Sequence, residues 1–239
     1  MPTASRPRVI CHMMTSLDGR IVTSGWPLTA TGRHEYEVVH GGYEPDGWIC
    51  GRVTMEPFAK RLRSEAEVVR EHLGNAPRED FHAPGDFDSF AFAVDARGRL
   101  AWESNEIDGD HVVAILTARV SDEYLAFLRK RGVSYLLAGA PEIDLRLALE
   151  KTHAQFGVQT LMLEGGGKIN GAMLRAGLID EVSVLVAPVA DGREGTPALF
   201  DVEAREGVPL RLALETVERR SDDMLWLRYR VEGGRSYPA

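Results

Sequence analysis

The chain alternates between stretches that are apolar from end to end and stretches in which apolar residues recur every three or four positions. RVICHMM (8–14), FAFAVD (90–95), HVVAILT (111–117) and VSYLLAG (133–139) are of the first kind. Continuous apolar runs of this length, closed by glycine or polar residues, predict strands buried on both faces. DGWICG (46–51) reads as a shorter strand bounded by glycines. TATGRHEYEVVH (29–40), VSDEYLAFLRKRG (120–132) and DLRLALEKTHAQFG (144–157) carry helical spacing. Thr31 is a candidate N-cap for the first of these. Ser121 opens the second, and Gly132 and Gly157 close the second and third. Asp18-Gly19 predicts a turn after the first strand.

From 158 onward the order is VQTLMLE as strand, GKINGAMLRAG as helix and IDEVSVLVAP as strand. RLALETVERR and DDMLWLRYRV follow as a hairpin. The middle of the chain therefore predicts a parallel sheet with helices on its faces, and the hairpin adds antiparallel strands. The expected class is α/β: a mixed, mainly parallel central sheet with flanking helices and a C-terminal antiparallel hairpin. No repeat, low-complexity segment or long linker divides the chain, so residues 1–239 are expected to form one domain. The polar stretch 60–87 predicts a helix around EAEVVREHL (65–73) and then a loop with Pro77, Pro84 and Gly85. It is a candidate lid.

Composition narrows the partners. The net charge is -8 and the pI about 5.4, which gives no basic surface for nucleic acid. No apolar run reaches the length of a membrane span, and the N-terminus shows no signal-peptide pattern. Cys11 and Cys50 each sit inside an apolar run and read as buried free thiols of a cytoplasmic protein. The seven histidines show no ligand spacing, so no metal site is expected. His12, in mid-strand, reads as a satisfied core histidine. Asp180-Glu181 reads as a structural cap on the last crossover. Trp26, in a loop after glycine, is suited either to stacking on a ring or to packing.

The chemistry concentrates in LMLEGGGKINGAML (161–174). A buried strand ends at Glu164, three glycines follow, and a helix begins. The first amides of a helix lack intrahelical partners and the dipole adds positive charge there. Glycines let an anion approach that backbone. Three in succession favour an anion cradle, such as a dinucleotide pyrophosphate needs, over a bare turn. The pattern is G-x-G-x-x-x-G and does not match the dinucleotide fingerprint of doubly wound folds.

TSLDGRI (15–21), DGWICGRVTM (46–55), FAFAVDARGRL (90–100) and LMLEGGGKINGAMLRAGLIDEVSVLVAPVADG (161–192), in that order, resemble the reductase domain of riboflavin biosynthesis, within the dihydrofolate reductase-like superfamily. The likeness spans about residues 8 to 200. It implies an NADPH-dependent reductase that transfers hydride to the ribosyl C1 of a pyrimidine-type substrate, such as 5-amino-6-(5-phosphoribosylamino)uracil, and that forms a homodimer. The zinc-deaminase signatures H-x-E and P-C-x-x-C are absent, so a stand-alone reductase is expected. Residue by residue, the resemblance implies that Gly165, Gly166, Gly167, Lys168 and Ile169 hold the cofactor phosphates. It implies that Thr54 touches the cofactor and that Asp95 lies at its ribose. Arg97 or Arg99 would meet the 2′-phosphate, Glu164 would orient the substrate, and Ser16 and Asp18 would shape the loop beside the nicotinamide. Where the family carries a phosphate-gripping arginine, this chain has Gly41-Gly42. Either Arg61 or Arg63 compensates, or the substrate lacks the phosphate. The alternatives to this function are a reductase of the same fold acting on another small heterocycle or carbonyl, and a cofactor-binding paralogue without turnover.

Overall fold

A computed structural model describes residues 5–59, 76–202 and 209–232. The predicted helix at 65–73, Arg61 and Arg63 lie outside these residues. The chain divides into two compact units, Met1–Pro7 with Asp46–Gln159, and Arg8–Pro45 with Thr160–Ala239.

In the first unit β2 (Gly47–Gly51), β3 (Phe90–Val94), β5 (Asp110–Leu116) and β6 (Ser134–Leu137) pair in parallel, in that order. A two-residue strand, β4 (Glu106–Ile107), pairs antiparallel with the start of β5; it is too short for periodicity to announce. Helix α2 (Arg52–Ala59) follows β2, α3 (Asp122–Arg131) precedes β6, and α4 (Leu145–Phe156) follows it. Ser121, Gly132 and Gly157 cap where the sequence places them, and Asp144 adds a cap it did not name. Ser121 accepts from the Tyr124 N–H, Asp144 accepts from the Leu147 N–H, and Gly132 and Gly157 end their helices at φ 67° and 73°. Trp102, Tyr135, Phe92 and Phe127 are among the largest fully buried side chains. Each such residue contributes roughly 1.5–3 kcal/mol by leaving water.

In the second unit β1 (Arg8–Thr15) is central, parallel to β7 (Thr160–Leu163) on one side and to β8 (Glu181–Val186) on the other. The hairpin β9 (Leu212–Arg219) and β10 (Leu225–Val231) extends the sheet antiparallel from β8. Every β1 residue after Arg8 is buried, as a strand covered on both faces must be. His12 satisfies both ring nitrogens inside it, with Ser183 Oγ at 3.0 Å and the Tyr36 carbonyl at 3.2 Å. Cys11 and Cys50 are buried free thiols.

Helix α1 (Ala30–Gly41) starts at Thr29 and not at Thr31. Thr29 Oγ1 accepts from the Gly32 N–H, and the Thr29 N–H is taken by Asp222 at 2.9 Å. The hairpin turn thus fixes the helix start, and that long-range contact is invisible to local spacing. Glu181, at the first position of β8, is buried among Arg8, Arg228 and the Tyr43 hydroxyl. Burial opposes its charge, but the hydrogen bonds from Arg228 and Tyr43, with the Arg228 and Arg8 charges, outweigh it and hold its carboxyl below the ordinary range.

Glu181→Ala leaves the Arg228 guanidinium without its buried partner, and we expect a loss of at least about 3 kcal/mol at neutral pH. Because the folded-state pKa is depressed, the contribution is complete above the ordinary glutamate value of 4.5 and disappears as pH falls below it through the folded value. Urea unfolding of both proteins at pH 7 and at pH 3 measures this; a difference that does not shrink at pH 3 contradicts it.

Candidate active site

Strand β7 delivers Glu164 to the glycine turn. The register sets Leu163 opposite Cys11, so Glu164 comes beside His12 and Cys11, close enough for its charge to act on both. Its Oε1 lies 2.7 Å from His40 Nδ1, in the last turn of α1, and both side chains are largely buried. Gly165 and Gly166 follow with φ 132° and 81°, values that side chains other than glycine rarely adopt. Helix α5 (Gly167–Arg175) then opens at Gly166 without any side-chain cap. Lys168 is exposed in its first turn and Ile169 is buried. A Cβ-free backbone, an uncapped helix start and an exposed lysine form the donor set that a phosphate requires.

Two further glycines serve the chain itself. A Cβ on Gly167 would lie 2.3 Å from the Ala198 carbonyl oxygen, and one on Gly171 would lie 2.4 Å from that of Asp201. The segment 198–202 is seated directly on α5, with Asp201 N–H donating to the Gly167 carbonyl and Asn170 Nδ2 to that of Leu199. Gly165–Gly166 and the helix start thus leave backbone free of Cβ, while Gly167 admits the chain's own backbone.

Ser16 and Asp18 build the turn after β1. Asp18 accepts from the Asp191 N–H, the Ser16 hydroxyl and the Gly192 N–H, which hold its carboxyl down at about 2. Trp26 is buried against Met14 and Leu185, and its indole N–H donates to Asp191 at 2.7 Å. That places Trp26 in packing. Beside this turn a pocket of about 320 Å³ is lined by Met13, Ile21, Thr23, Arg33, Tyr36 and Glu37, among others. Tyr36 stacks on His12 with ring centroids 4.4 Å apart. Arg33 donates to the Trp26 carbonyl, and no ion pair links it to Glu37 although both face the pocket.

The remaining expected residues belong to the first unit. Thr54 is half-buried in α2. Asp95 Oδ2 accepts from the Arg99 and Leu100 amides at 2.5 and 2.8 Å, closing the turn after β3. Its Oδ1 is buried with no partner, and burial raises its pKa despite those amides. Arg97 and Arg99 are exposed on the same turn. Sequence reasoning missed Arg33, Tyr36, Glu37 and His40. Their spacing, i, i+3, i+4 and i+7, marks one face of α1, a signal that was present but carried no familiar motif.

Residues 7–226 match the family model described as the RibD C-terminal domain. The chain belongs to this family. Over 239 residues it is 29% identical to the 2,5-diamino-6-ribosylamino-4(3H)-pyrimidinone 5′-phosphate reductase of Methanothermobacter thermautotrophicus, covering 95% of this chain and 100% of that protein. Among RibD-type folds, a pyrimidine reductase-like protein of Corynebacterium diphtheriae superposes with TM-score 0.67 at 19% identity, covering 94% of this chain and 92% of that one. RibD of Acinetobacter baumannii superposes with TM-score 0.63 at 22% identity, covering 96% of this chain and 59% of that one. The mixed, mainly parallel sheet with a C-terminal hairpin is thus the RibD reductase fold. No helix among the described residues is long and apolar enough to cross a membrane.

In an open helix Gly→Ala gains about 1 kcal/mol. At Gly171 the new methyl meets a backbone oxygen that cannot rotate away, so we expect Gly171→Ala to lose about 1–3 kcal/mol. Denaturant unfolding decides the sign; an unchanged or raised stability would show that the 198–202 segment is not seated on the helix as described.

Proposed function

We propose that this chain reduces 2,5-diamino-6-ribosylamino-4(3H)-pyrimidinone 5′-phosphate, or its aminouracil counterpart, to the ribityl compound with NADPH. Family membership and a reductase relative matched along its whole length make the chain an oxidoreductase of riboflavin biosynthesis, a pyrimidine reductase. The observation that carries the cofactor is the turn at Gly165–Gly166 opening an uncapped helix. Gly165, Gly166, Lys168 and the α5 amides would hold its phosphates, with Gly167 and Ile169 shaping the turn. When bound, the reduced nicotinamide supplies the hydride.

The first unit offers a second fit. Asp95 Oδ1 is a buried acceptor without a donor, and a ribose hydroxyl is a donor. Arg97 and Arg99 beside it suit a 2′-phosphate, which favours NADPH over NADH. Glu164, at the strand end, orients the substrate. The α1 stripe of Arg33, Tyr36 and Glu37 gives the pocket both a cation and a carboxylate for a substrate that carries a phosphate and several N–H donors.

The test mixes the protein, NADPH and the pyrimidinone phosphate and follows loss of absorbance at the nicotinamide band. Turnover is expected; cofactor binding without oxidation of either pyrimidine would instead favour a non-catalytic paralogue. Replacing Arg97 and Arg99 together with Ala should weaken NADPH binding by roughly 1.5–3 kcal/mol, tenfold or more, and leave NADH binding unchanged. Equal wild-type affinity for the two cofactors, measured by fluorescence titration, would remove the arginine contact from the account.

A further inference from the structure

The reduction consumes one proton for each hydride, and a titratable group of the site must hold it. Cys11 is fully buried and its thiol is pushed far up, first by burial and then by the Glu164 charge. His12 is pushed down by burial, and both its ring nitrogens are engaged. Asp18 is held ionised by the turn amides and the Ser16 hydroxyl. Glu181 is held ionised by Arg228 and Tyr43. Glu37 adds a carboxylate on the pocket wall, but Glu164 at the strand end is the one in direct contact with an imidazole, 2.7 Å from His40. Histidine is the side chain whose ordinary titration lies nearest neutrality.

We propose that His40 is a positioning residue that acts through Glu164, storing the proton that Glu164 delivers to the substrate. This rests on the reductase function above. The contact is direct, between a helix end and a strand end, and both partners are withdrawn from water, with side-chain exposures of 23% and 13%. His40 lies on the α1 face that also carries Tyr36, a wall of the pocket. Stacking of Tyr36 on His12 and the Gly42 N–H bond to the Val38 carbonyl fix the helix that carries His40.

The step balances as follows. The ribosyl C1–ring oxygen bond breaks and its electron pair goes to the oxygen, which takes the proton from Glu164. The lone pair of the exocyclic nitrogen forms a C1=N iminium. Hydride from the dihydronicotinamide adds to C1, and the π pair returns to nitrogen. Glu164 regains a proton from His40, and His40 takes up one proton (H+) from bulk solvent. Substrate, NADPH and one proton become ribitylamine and NADP+.

The test compares wild type, His40→Ala and His40→Asn for NADPH oxidation with the pyrimidinone phosphate. Asn keeps an N–H donor toward Glu164 in the place of Nδ1, but it stores no proton. We expect both variants to lose about a hundredfold or more in kcat with KM changed less than about threefold. Added imidazole should restore part of kcat in His40→Ala and not in wild type. His40→Asn with wild-type kcat would reduce the contact to a structural hydrogen bond and overturn the proposal. A loss confined to KM would also overturn it. A wild-type protein that never oxidises NADPH with either pyrimidine overturns the function itself, whereas an active wild type with an equally active His40→Asn overturns the role of His40 alone.

Discussion

The second unit is organised by how closely one stretch of backbone approaches a helix. Residues 198–202 lie on α5 at distances that leave no room for a Cβ at Gly167 or Gly171. The same stretch reaches back to the turn after β1: the Ile21 N–H donates to the Pro197 carbonyl, the Leu199 N–H to that of Gly19, and the Arg20 guanidinium to that of Thr196. Asp18 completes the clamp through the amides of Asp191 and Gly192. The turn holding Ser16 and the helix opening at Gly166 are thus positioned by one shared segment. Buried backbone groups must find partners somewhere, and here the strand-end loops find them in each other. A reactive site gains rigidity from such mutual satisfaction without secondary structure of its own.

That arrangement changes the meaning of the glycine run. Read from sequence, Gly165 to Gly167 looks like three equal positions in an anion cradle. In the structure the first two carry left-handed backbone angles at the turn, while the third, with Gly171, makes way for the chain itself. Sequence distinguishes glycine from other residues, but it cannot distinguish a glycine kept clear for a ligand from one kept clear for a neighbouring loop. The partner loop begins some 30 residues later.

The strand and helix order was legible because burial on both faces writes continuous apolar runs, and because Ser121, Gly132 and Gly157 are local signals read locally. The errors have mostly non-local causes. Thr31 was read as the cap, but Asp222, arriving from the hairpin turn, fixes the start at Thr29. Strand β4 is two residues long and exists because β5 offers it an edge. Trp26 was undecidable between stacking and packing until Asp191 claimed its N–H. The N-cap and the tryptophan were settled by residues distant in sequence, which no window of periodicity contains, whereas the short strand is a local hairpin too brief to show a period.

The same division explains why the two halves of the chemistry differ in legibility. A phosphate cradle is made by consecutive residues, since a turn and a helix start supply adjacent amides. The pocket here is lined from one face of α1, and Arg33, Tyr36 and Glu37 on its wall, like His40 one turn on, are ordinary polar positions of an amphipathic helix until the packing is known. What gives them meaning is the partner each meets: a pocket wall for Tyr36, a carbonyl of the Trp26 loop for Arg33, and a strand-end carboxylate for His40. Gly41 and Gly42 end the helix immediately after His40. The imidazole therefore sits at the last position where α1 can still present a side chain to Glu164, and the identity of that one residue sets what the carboxylate can hold.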